Sequence, residues 1–463
     1  MSAGLKCQIR SSRPFSMNDL STISQHLNRV VFYDVTRLVK KRNARVPSGV
    51  DRIDFAILDI LSNDPSRVVH PVVEIDGKLL MMPADLAEGF LHSIRRCWTL
   101  GAEPDRTIGS LLERTGLAIN PRGRFVGLHH GLGGPGATAF SRTSLQVLRT
   151  AADSMNGISR SLTRLGGKLR RSRYGHALEA SDIVGATYLV ASHDGAPARA
   201  GLLARLKRAG LSQIAVYLHD TIPLDFPEYA TLASIERFKR YFDEVGDHCD
   251  TYFVNSSRTE DDLRRRLGSR VKSAHIHLAY PSELVPTAVR TPDPQSSKRA
   301  PGGTDAPYFI TVGTIEPRKN HLLLLNLWRR LAADRMTPMP KLHIVGRRGW
   351  LNDGVTDLLD RCSDLQPHVI EHNSMGDDEL CRLMQGATAM LLPSFVEGFC
   401  LPAVEARSFG VPVLSTGFPC DELGTGERDI VLDPLDGLAW YAAIRRLTTE
   451  SLASMPGDPM GAK

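Results

Sequence analysis

What the sequence lacks narrows the field first. Its 463 residues contain no apolar run of about 18, so no helix is expected to span a membrane. The opening stretch, MSAGLKCQIRSSRPFSMNDL, has no apolar h-region, and no secretory signal is expected. The seven cysteines are odd in number, scattered, and never form C-x-x-C. That favours free thiols in a reducing cytoplasm over disulfides or a zinc site. No D-x-D triplet occurs, which leaves no obvious carboxylate pair for a metal carrying a diphosphate. The net charge of +6 is mild. It suits small anionic partners and equally suits a plain solvated surface, and nucleic acid is not an expected partner.

What is present points to two α/β domains, because the chain is too long for one ordinary core. In the back third, short apolar runs alternate with helical patterns. YFITVG (308–313), KLHIVG (341–346), AMLLPS (389–394), VPVLST (411–416) and DIVLDP (429–434) read as strands, with HVIEH (368–372) between the second and third. NHLLLLNLWRRLAAD (320–334) and GDDELCRLMQGA (376–387) read as helices. Strands that are apolar throughout belong to parallel sheets covered on both faces. The front half alternates as well. VVFYDV (30–35), RVVHPVVEI (67–75), TYLVAS (187–192), QIAVYLHD (213–220), DTYFVNS (250–256) and SAHIHLAY (273–280) are its expected strands. Helices are expected over 49–63, 196–210 and 257–268. Residues 1–27 read as a disordered tail, and 28–285 as a first Rossmann-like domain with a helical insertion over about 85–180. The Pro, Gly and Ser composition of 286–306 marks a linker. Residues 307–434 form a second doubly wound domain. Residues 435–463 read as a helix that crosses back to the first domain, then a disordered tail. Sites in such folds lie outside the carboxyl ends of strands, here in a cleft between the domains.

The chemistry concentrates in SFVEGFCLPAVEARSFG, residues 394–410, where seven residues separate Glu397 from Glu405. Pro402 suits the first position of a helix. Gly398 allows a ligand close to the backbone. The free N–H groups of the helix start make an anion seat. The two carboxylates flank that seat, and each can accept hydroxyl protons from one end of a ligand with hydroxyls on both sides of a phosphate. A nucleotide sugar has that shape. VGTIEPRKN (312–320) ends a strand at Gly313 and brings Arg318 and Lys319 to the next helix start. Paired cations there can neutralise a diphosphate. Alone they would read equally well as a solvated helix start; beside the glutamate stretch the anion reading is favoured.

These two motifs, at this separation, resemble family-4 glycosyltransferases, retaining enzymes of the GT-B fold. The resemblance is specific over about 308–434. It implies that Glu397 binds the donor sugar hydroxyls and Glu405 the ribose of the nucleotide. It implies that Gly398 and Phe399 face sugar and diphosphate, with Cys400 and Leu401 following them in the donor pocket, and that Lys319 is the diphosphate lysine. Many members carry Arg directly after the strand-ending glycine, where this chain has Thr314, and Arg318 is the substitute. Many carry Gly where this chain has Cys400, whose side chain narrows the pocket and leaves the donor open. YDVTRLV (33–39), PSGVDRIDFAIL (47–58), LHDTIPLDFPEY (218–229) and VNSSRTEDDL (254–263) resemble a narrower branch found in bacterial surface-polysaccharide clusters. There Gly49 would approach the donor diphosphate, and His219 would lie near donor sugar and acceptor. Arg52, one turn into its helix, faces either cleft or solvent. The plainer reading of His219 is a cap on the following turn with Asp220.

The resemblance implies transfer of a hexose with retention, by front-face attack and without a metal or other cofactor. His219, Glu397, Arg318 and Lys319 would be the catalytic group. The expected donor is GDP-mannose, and the expected acceptor a glycan or lipid-linked glycan. Two other readings stay open: a non-catalytic nucleotide-sugar-binding scaffold, and a UDP-sugar epimerase. GLGGPG (131–136) fits a dinucleotide fingerprint but lacks a clear strand and helix around it, so an NAD enzyme is the weakest reading. Residues 155–173 pair an apolar stripe with Arg and Lys and no acid. Such a helix either packs on its domain or lies on anionic lipid. The expected location is cytoplasmic, with contact to the inner face of the plasma membrane as the alternative to full solution. Cys97, Cys381 and Cys420 read as ordinary buried thiols.

Overall fold

A computed structural model describes residues 20–44, 47–100, 103, 105, 112, 176–178, 180–281 and 306–453. Residues 131–136, 155–173 and almost all of the 286–306 segment lie outside the described residues, as do 1–19 and 454–463. Two sheets organise the chain. The first contains β1 (Val30–Asp34), β2 (Val68–Ile75), β3 (Lys78–Met81), β4 (His176–Ala177), β5 (Thr187–Val190), β6 (Gln213–Leu218), β7 (Thr251–Val254) and β8 (His275–Leu278). Their order is β4-β3-β2-β1-β5-β6-β7-β8. The second contains β9 (Tyr308–Val312), β10 (Lys341–Val345), β11 (Val369–His372), β12 (Ala389–Leu392), β13 (Val413–Ser415) and β14 (Ile430–Val431), in the order β11-β10-β9-β12-β13-β14. Every pairing in the second sheet is parallel. In the first, only β2–β3 and β3–β4 run antiparallel. These are the two Rossmann-like sheets expected from the alternation, and they fit the two-domain GT-B architecture that the resemblance implied.

Local chemistry explains the elements that aim the site. The helix Gly49–Asn63 begins in a capping box. The Ser48 hydroxyl accepts the Asp51 amide at 3.3 Å, and the Asp51 carboxylate accepts the Ser48 amide at 2.8 Å. That fixes the start of the helix, and with it Gly49 and Arg52. Strand β12, Ala-Met-Leu-Leu, is buried along its whole length, as a strand covered on both faces must be.

Four differences from the expectations have plain causes. Residues 20–27, expected within a disordered tail, carry the helix Ser21–Gln25, because Leu20, Ile23 and Leu27 are buried in the core. The helix expected over 196–210 is broken at Gly201, whose φ of +71° leaves a 3-10 turn and a shorter helix, Leu202–Arg208. A 17-residue helix, Leu232–His248, stands where none was assigned. It buries Phe238, Tyr241, Phe242 and Val245, a three-four spacing that the sequence did contain. The C-terminal helix Gly437–Ala453 does not cross back. Its Trp440, Ile444 and Leu447 join Phe309, Trp328 and Leu331 in a core belonging to the second sheet alone.

The two halves nevertheless meet through packed surface. The largest buried cluster runs from Leu38, Ile57 and Phe90 across to Ile310, Met390, Phe399 and Leu401. The helix Ala84–Leu100 rests on the helix Asp377–Gln385. Among the described residues no helix is long and apolar enough to cross a membrane.

Candidate active site

Strand order reverses between β9 and β12, and a ligand crevice opens where two such strands send their loops apart. The loops leaving these strands, 313–320 and 393–400, are tied together by the Phe395 amide, which donates to the Arg318 carbonyl at 2.9 Å. Gly313, at φ +147°, has Lys319 laid across it; an added Cβ would stand 3.1 Å from Lys319 Cε. The Thr314 methyl packs on Gly349, where a Cβ would come within 2.6 Å of it.

Glu397 lies under both cations. Lys319 Nζ donates to its Oε1 at 2.6 Å, and Arg318 Nη1 donates to its Oε2 at 2.6 Å. Arg318 also donates to the Val396 carbonyl at 2.8 Å and to Glu316 at 2.6 Å. Burial by itself would raise the Glu397 carboxyl, but Arg318 and Lys319 outweigh it and pull it down to about 2. The sequence had given these residues separate tasks; without a donor they form one charge cluster.

Glu405 sits in the helix Leu401–Ser408. The helix begins at Leu401, so Pro402 takes its second position rather than the expected first. Glu405 is bound from the opposite domain: Arg52 Nη1 donates to its Oε1 at 2.9 Å, and Nη2 of the same side chain pairs with Asp377. Arg52 therefore faces the cleft. Burial raises the Glu405 carboxyl, and Arg52 offsets only part of that. A cavity of about 10 Å³, roughly one water, remains beside it, lined by Arg52, Asp377, Cys381, Met384, Glu405 and Phe409.

The first sheet contributes His219 and Gly49. His219 follows β6 and is buried. Its Nε2 lies 2.7 Å from the Ala191 carbonyl, which can only accept, so Nε2 carries the proton. Nδ1 has no partner. Burial pulls the ring down to about 4, so it is neutral near pH 7 and offers one bare acceptor lone pair. The turn cap is Asp220, which accepts the Ile222 amide at 3.0 Å. Gly398 presses on this strand end, where a Cβ would stand 2.6 Å from the His219 carbonyl and 2.9 Å from Asp220 Cβ. Its own carbonyl accepts Ser256 Oγ at 3.1 Å. Gly49 faces Leu401, and an added Cβ would stand in ordinary contact, 3.5 Å from Leu401 Cδ1. Phe399 is buried, and its carbonyl accepts the Cys420 amide at 3.2 Å. Cys400 is buried with φ +82°, a left-handed conformation that favours glycine.

Every site residue expected from sequence thus lies on the facing rims of the two sheets. Three participants were missed: Glu316, Asp377 and Glu422. Glu422 accepts Ser257 Oγ at 2.9 Å and Tyr280 Oη at 3.0 Å from the other domain. The acid run Gly-Asp-Asp-Glu around Asp377 was visible but read only as a helix start.

Parts of the chain are similar to known proteins. Residues 294–455 match the family described as "Glycosyl transferases group 1". The chain is 26% identical over 211 residues to the serotype-specific mannosyltransferase WbdA of Escherichia coli, spanning 44% of this chain and 26% of that protein. It is 34% identical over 129 residues to O-antigen chain mannosyltransferase B of Escherichia coli, spanning 28% of this chain and 33% of that one. The chain therefore spans a third or less of either relative. Sucrose-phosphate synthase from Thermosynechococcus elongatus aligns at a TM-score of 0.44 and 19% identity, over 57% of this chain and 65% of that one. The segment that carries the second sheet is thus similar to glycosyltransferases group 1, and parts of the chain are similar to mannosyltransferases of surface-polysaccharide biosynthesis.

Proposed function

We propose that the protein is a retaining transferase moving mannose from GDP-mannose to a hydroxyl of a glycan or lipid-linked glycan. The observation that carries this is the pairing of Glu397 with Arg318 and Lys319 at the strand-order reversal, with the bare Nδ1 of His219 on the facing rim. The names of the two Escherichia coli relatives favour mannose.

In this reading the nucleoside ribose takes Glu405, and the donor diphosphate enters above Gly313 and the N-terminus of the helix Leu401–Ser408. Arg318 and Lys319 then turn part of their hydrogen bonding from Glu397 to phosphate oxygens. The freed carboxylate oxygens accept the sugar hydroxyls. The bond from the anomeric carbon to the phosphate oxygen breaks while the acceptor oxygen bonds on the same face. The acceptor proton passes to the departing phosphate oxygen. The diphosphate is already a good leaving group, so catalysis is positioning and stabilisation of its negative charge. Arg318, Lys319 and helix N–H groups supply that stabilisation, and no metal or cofactor is assigned a part. His219, neutral at its rim, accepts a sugar hydroxyl at Nδ1. The domain contacts exclude water from the reacting centre. The protein would work at the cytoplasmic face, where nucleotide sugars and lipid-linked acceptors meet.

Thermal shift with GDP, UDP, ADP and NAD, without added metal, on wild type and Glu405→Ala tests the donor site. A ligand at 100 times its Kd stabilises by about 2.7 kcal/mol. Stabilisation by GDP, lost in Glu405→Ala, is the expected result. Stabilisation by UDP alone would replace the donor, and stabilisation by NAD alone would overturn the transferase reading.

A further inference from the structure

Beyond the donor cleft, one surface exposes more aromatic and aliphatic area than a neutral rim needs. Tyr229 stacks on Phe395 at 5.6 Å between ring centroids and 6° between planes. Phe226 continues the stack at 6.3 Å and 18°. Trp350 joins from the loop after β10, its indole N–H donating to the Tyr229 carbonyl at 2.8 Å. That loop is anchored to the diphosphate loop, because the Gly349 amide and the Asn352 side chain both donate to the Ile315 carbonyl, at 3.0 and 2.6 Å. Trp350 is 39% exposed and Phe395 36%, while Leu351 at 59% and Leu232 at 80% extend the apolar area. Trp328 and Trp440, by contrast, are fully buried.

The position of this surface matters as much as its exposure. Phe395 lies two residues before Glu397 in the same loop, so the platform adjoins the carboxylate proposed for the donor sugar. Tyr229 follows His219 in the segment leaving β6. Arg52 and Asp377 close the Glu405 side, so the acceptor must approach from elsewhere.

The geometry points to an acceptor-saccharide subsite: the platform of Tyr229, Trp350 and Phe395 binds the C–H face of a pyranose in the acceptor glycan. This rests on the transferase reading above. Aromatic faces with the single N–H already engaged bind by dispersion and apolar contact, which suits the apolar face of a sugar ring. Arg265 and Arg266 are paired with Asp225, and Arg348 is paired with Asp360 and Glu371, so these three guanidinium groups beside the patch are already neutralised, and its place next to Glu397 favours a glycan over a lipid surface. The rings come from both domains, so a sugar lying on them also holds the cleft closed.

The test is binding of the full chain to an array of hexose, deoxyhexose and N-acetylhexosamine oligosaccharides, with saturating GDP. Wild type should bind a subset, and Trp350→Ala and Phe395→Ala should each weaken that binding by about tenfold. GDP-induced thermal shifts should stay unchanged in both. Trp350→Phe, which keeps a ring but loses the N–H, should retain most of the binding. Glycan binding unchanged in both alanine variants would overturn the subsite. So would a wild type that binds GDP but no glycan. Variants that lose only binding to phosphatidylglycerol vesicles would make the patch a membrane surface instead. Failure of wild type to bind any nucleoside diphosphate would instead remove the transferase reading itself.

Discussion

The two glutamates that follow β12, one in its loop and one in the next helix, are both buried, yet they are held in opposite ways. Glu397 is neutralised within its own domain by Arg318 and Lys319, and its carboxyl is pulled down to about 2. Glu405 is neutralised only across the cleft, by Arg52, and its carboxyl is raised by burial. The first charge cluster survives any movement of one domain against the other. The second exists only while the cleft is shut. A donor that spans both carboxylates therefore meets a preformed end and an end made by closure. Nucleoside binding at Glu405 must compete with Arg52, because the cavity left beside it is about 10 Å³.

The strongest way to break this contrast is Glu397→Gln. It removes the negative charge shared by Lys319 and Arg318, leaves Arg318 only Glu316, and replaces one of the two accepting oxygens with an NH2 donor. We expect kcat to fall on the order of 10³-fold, with GDP binding retained. The melting transition should also drop, by about 3 kcal/mol. A rate within tenfold of wild type would show that Glu397 only organises Arg318 and Lys319.

Acidification separates the preformed rim of the first sheet from that of the second. His219 titrates near 6.5 when unfolded and at about 4 when folded, because burial disfavours its charged form. Between those values the unfolded chain binds the extra proton, so stability falls as pH falls from 6.5 to 4, by about 3 kcal/mol for this group. Glu397 acts lower. Its depressed carboxyl contributes stability above pH 4.5, and that contribution is lost as pH falls to about 2. Urea unfolding across pH 4 to 7 should show a shallower slope in His219→Gln. Some slope remains, since buried His193, His321 and His343 are lowered in the same direction. An unchanged slope would place His219 in solvent.

Arg52→Ala attacks the other end. With its partner gone, Glu405 rises further, and the domains lose their polar link at this edge. The expected cost is about 2 kcal/mol, with a larger radius of gyration in small-angle scattering. Nucleotide binding should then begin to weaken at a higher pH on acidification than in wild type, because Arg52 no longer offsets the burial of Glu405. A variant with wild-type scattering would mean that packing of the helix Ala84–Leu100 on Asp377–Gln385 holds the cleft without the ion pair.

How far the sequence showed this depended on whether a feature was local. Strands such as β12 and helices such as Gly49–Asn63 follow from periodicity and caps within a few residues. The E-x7-E spacing located one rim, because two carboxylates around a helix start leave few alternatives. Arg52 on Glu405 could not be read, since their 353-residue separation is closed only by the tertiary fold. Nor could the aromatic stack of Tyr229 on Phe395, which joins segments from different sheets. The helix Leu232–His248 was legible in principle. Its charged residues are as many as its apolar ones, and the stripe of Phe238, Tyr241, Phe242 and Val245 is narrow.

Cys400 gives the smallest effect and the finest test. Its residue type departs from the glycine common in similar enzymes, and a narrower pocket was the expected consequence. The backbone supplies another: at φ +82° and ψ +67° a side chain is strained by about 1 kcal/mol. Cys400→Gly removes that strain but also gives up a buried side chain and frees the backbone of the unfolded chain. These terms oppose one another, so the melting transition should move by less than about 1 kcal/mol. If Cys400 narrows the donor pocket, the glycine variant should accept a second nucleotide sugar with a kcat/KM nearer that of the first. If its thiol only fills space beside Cys420, donor preference will not change, and the glycine of similar enzymes is a requirement of the backbone alone.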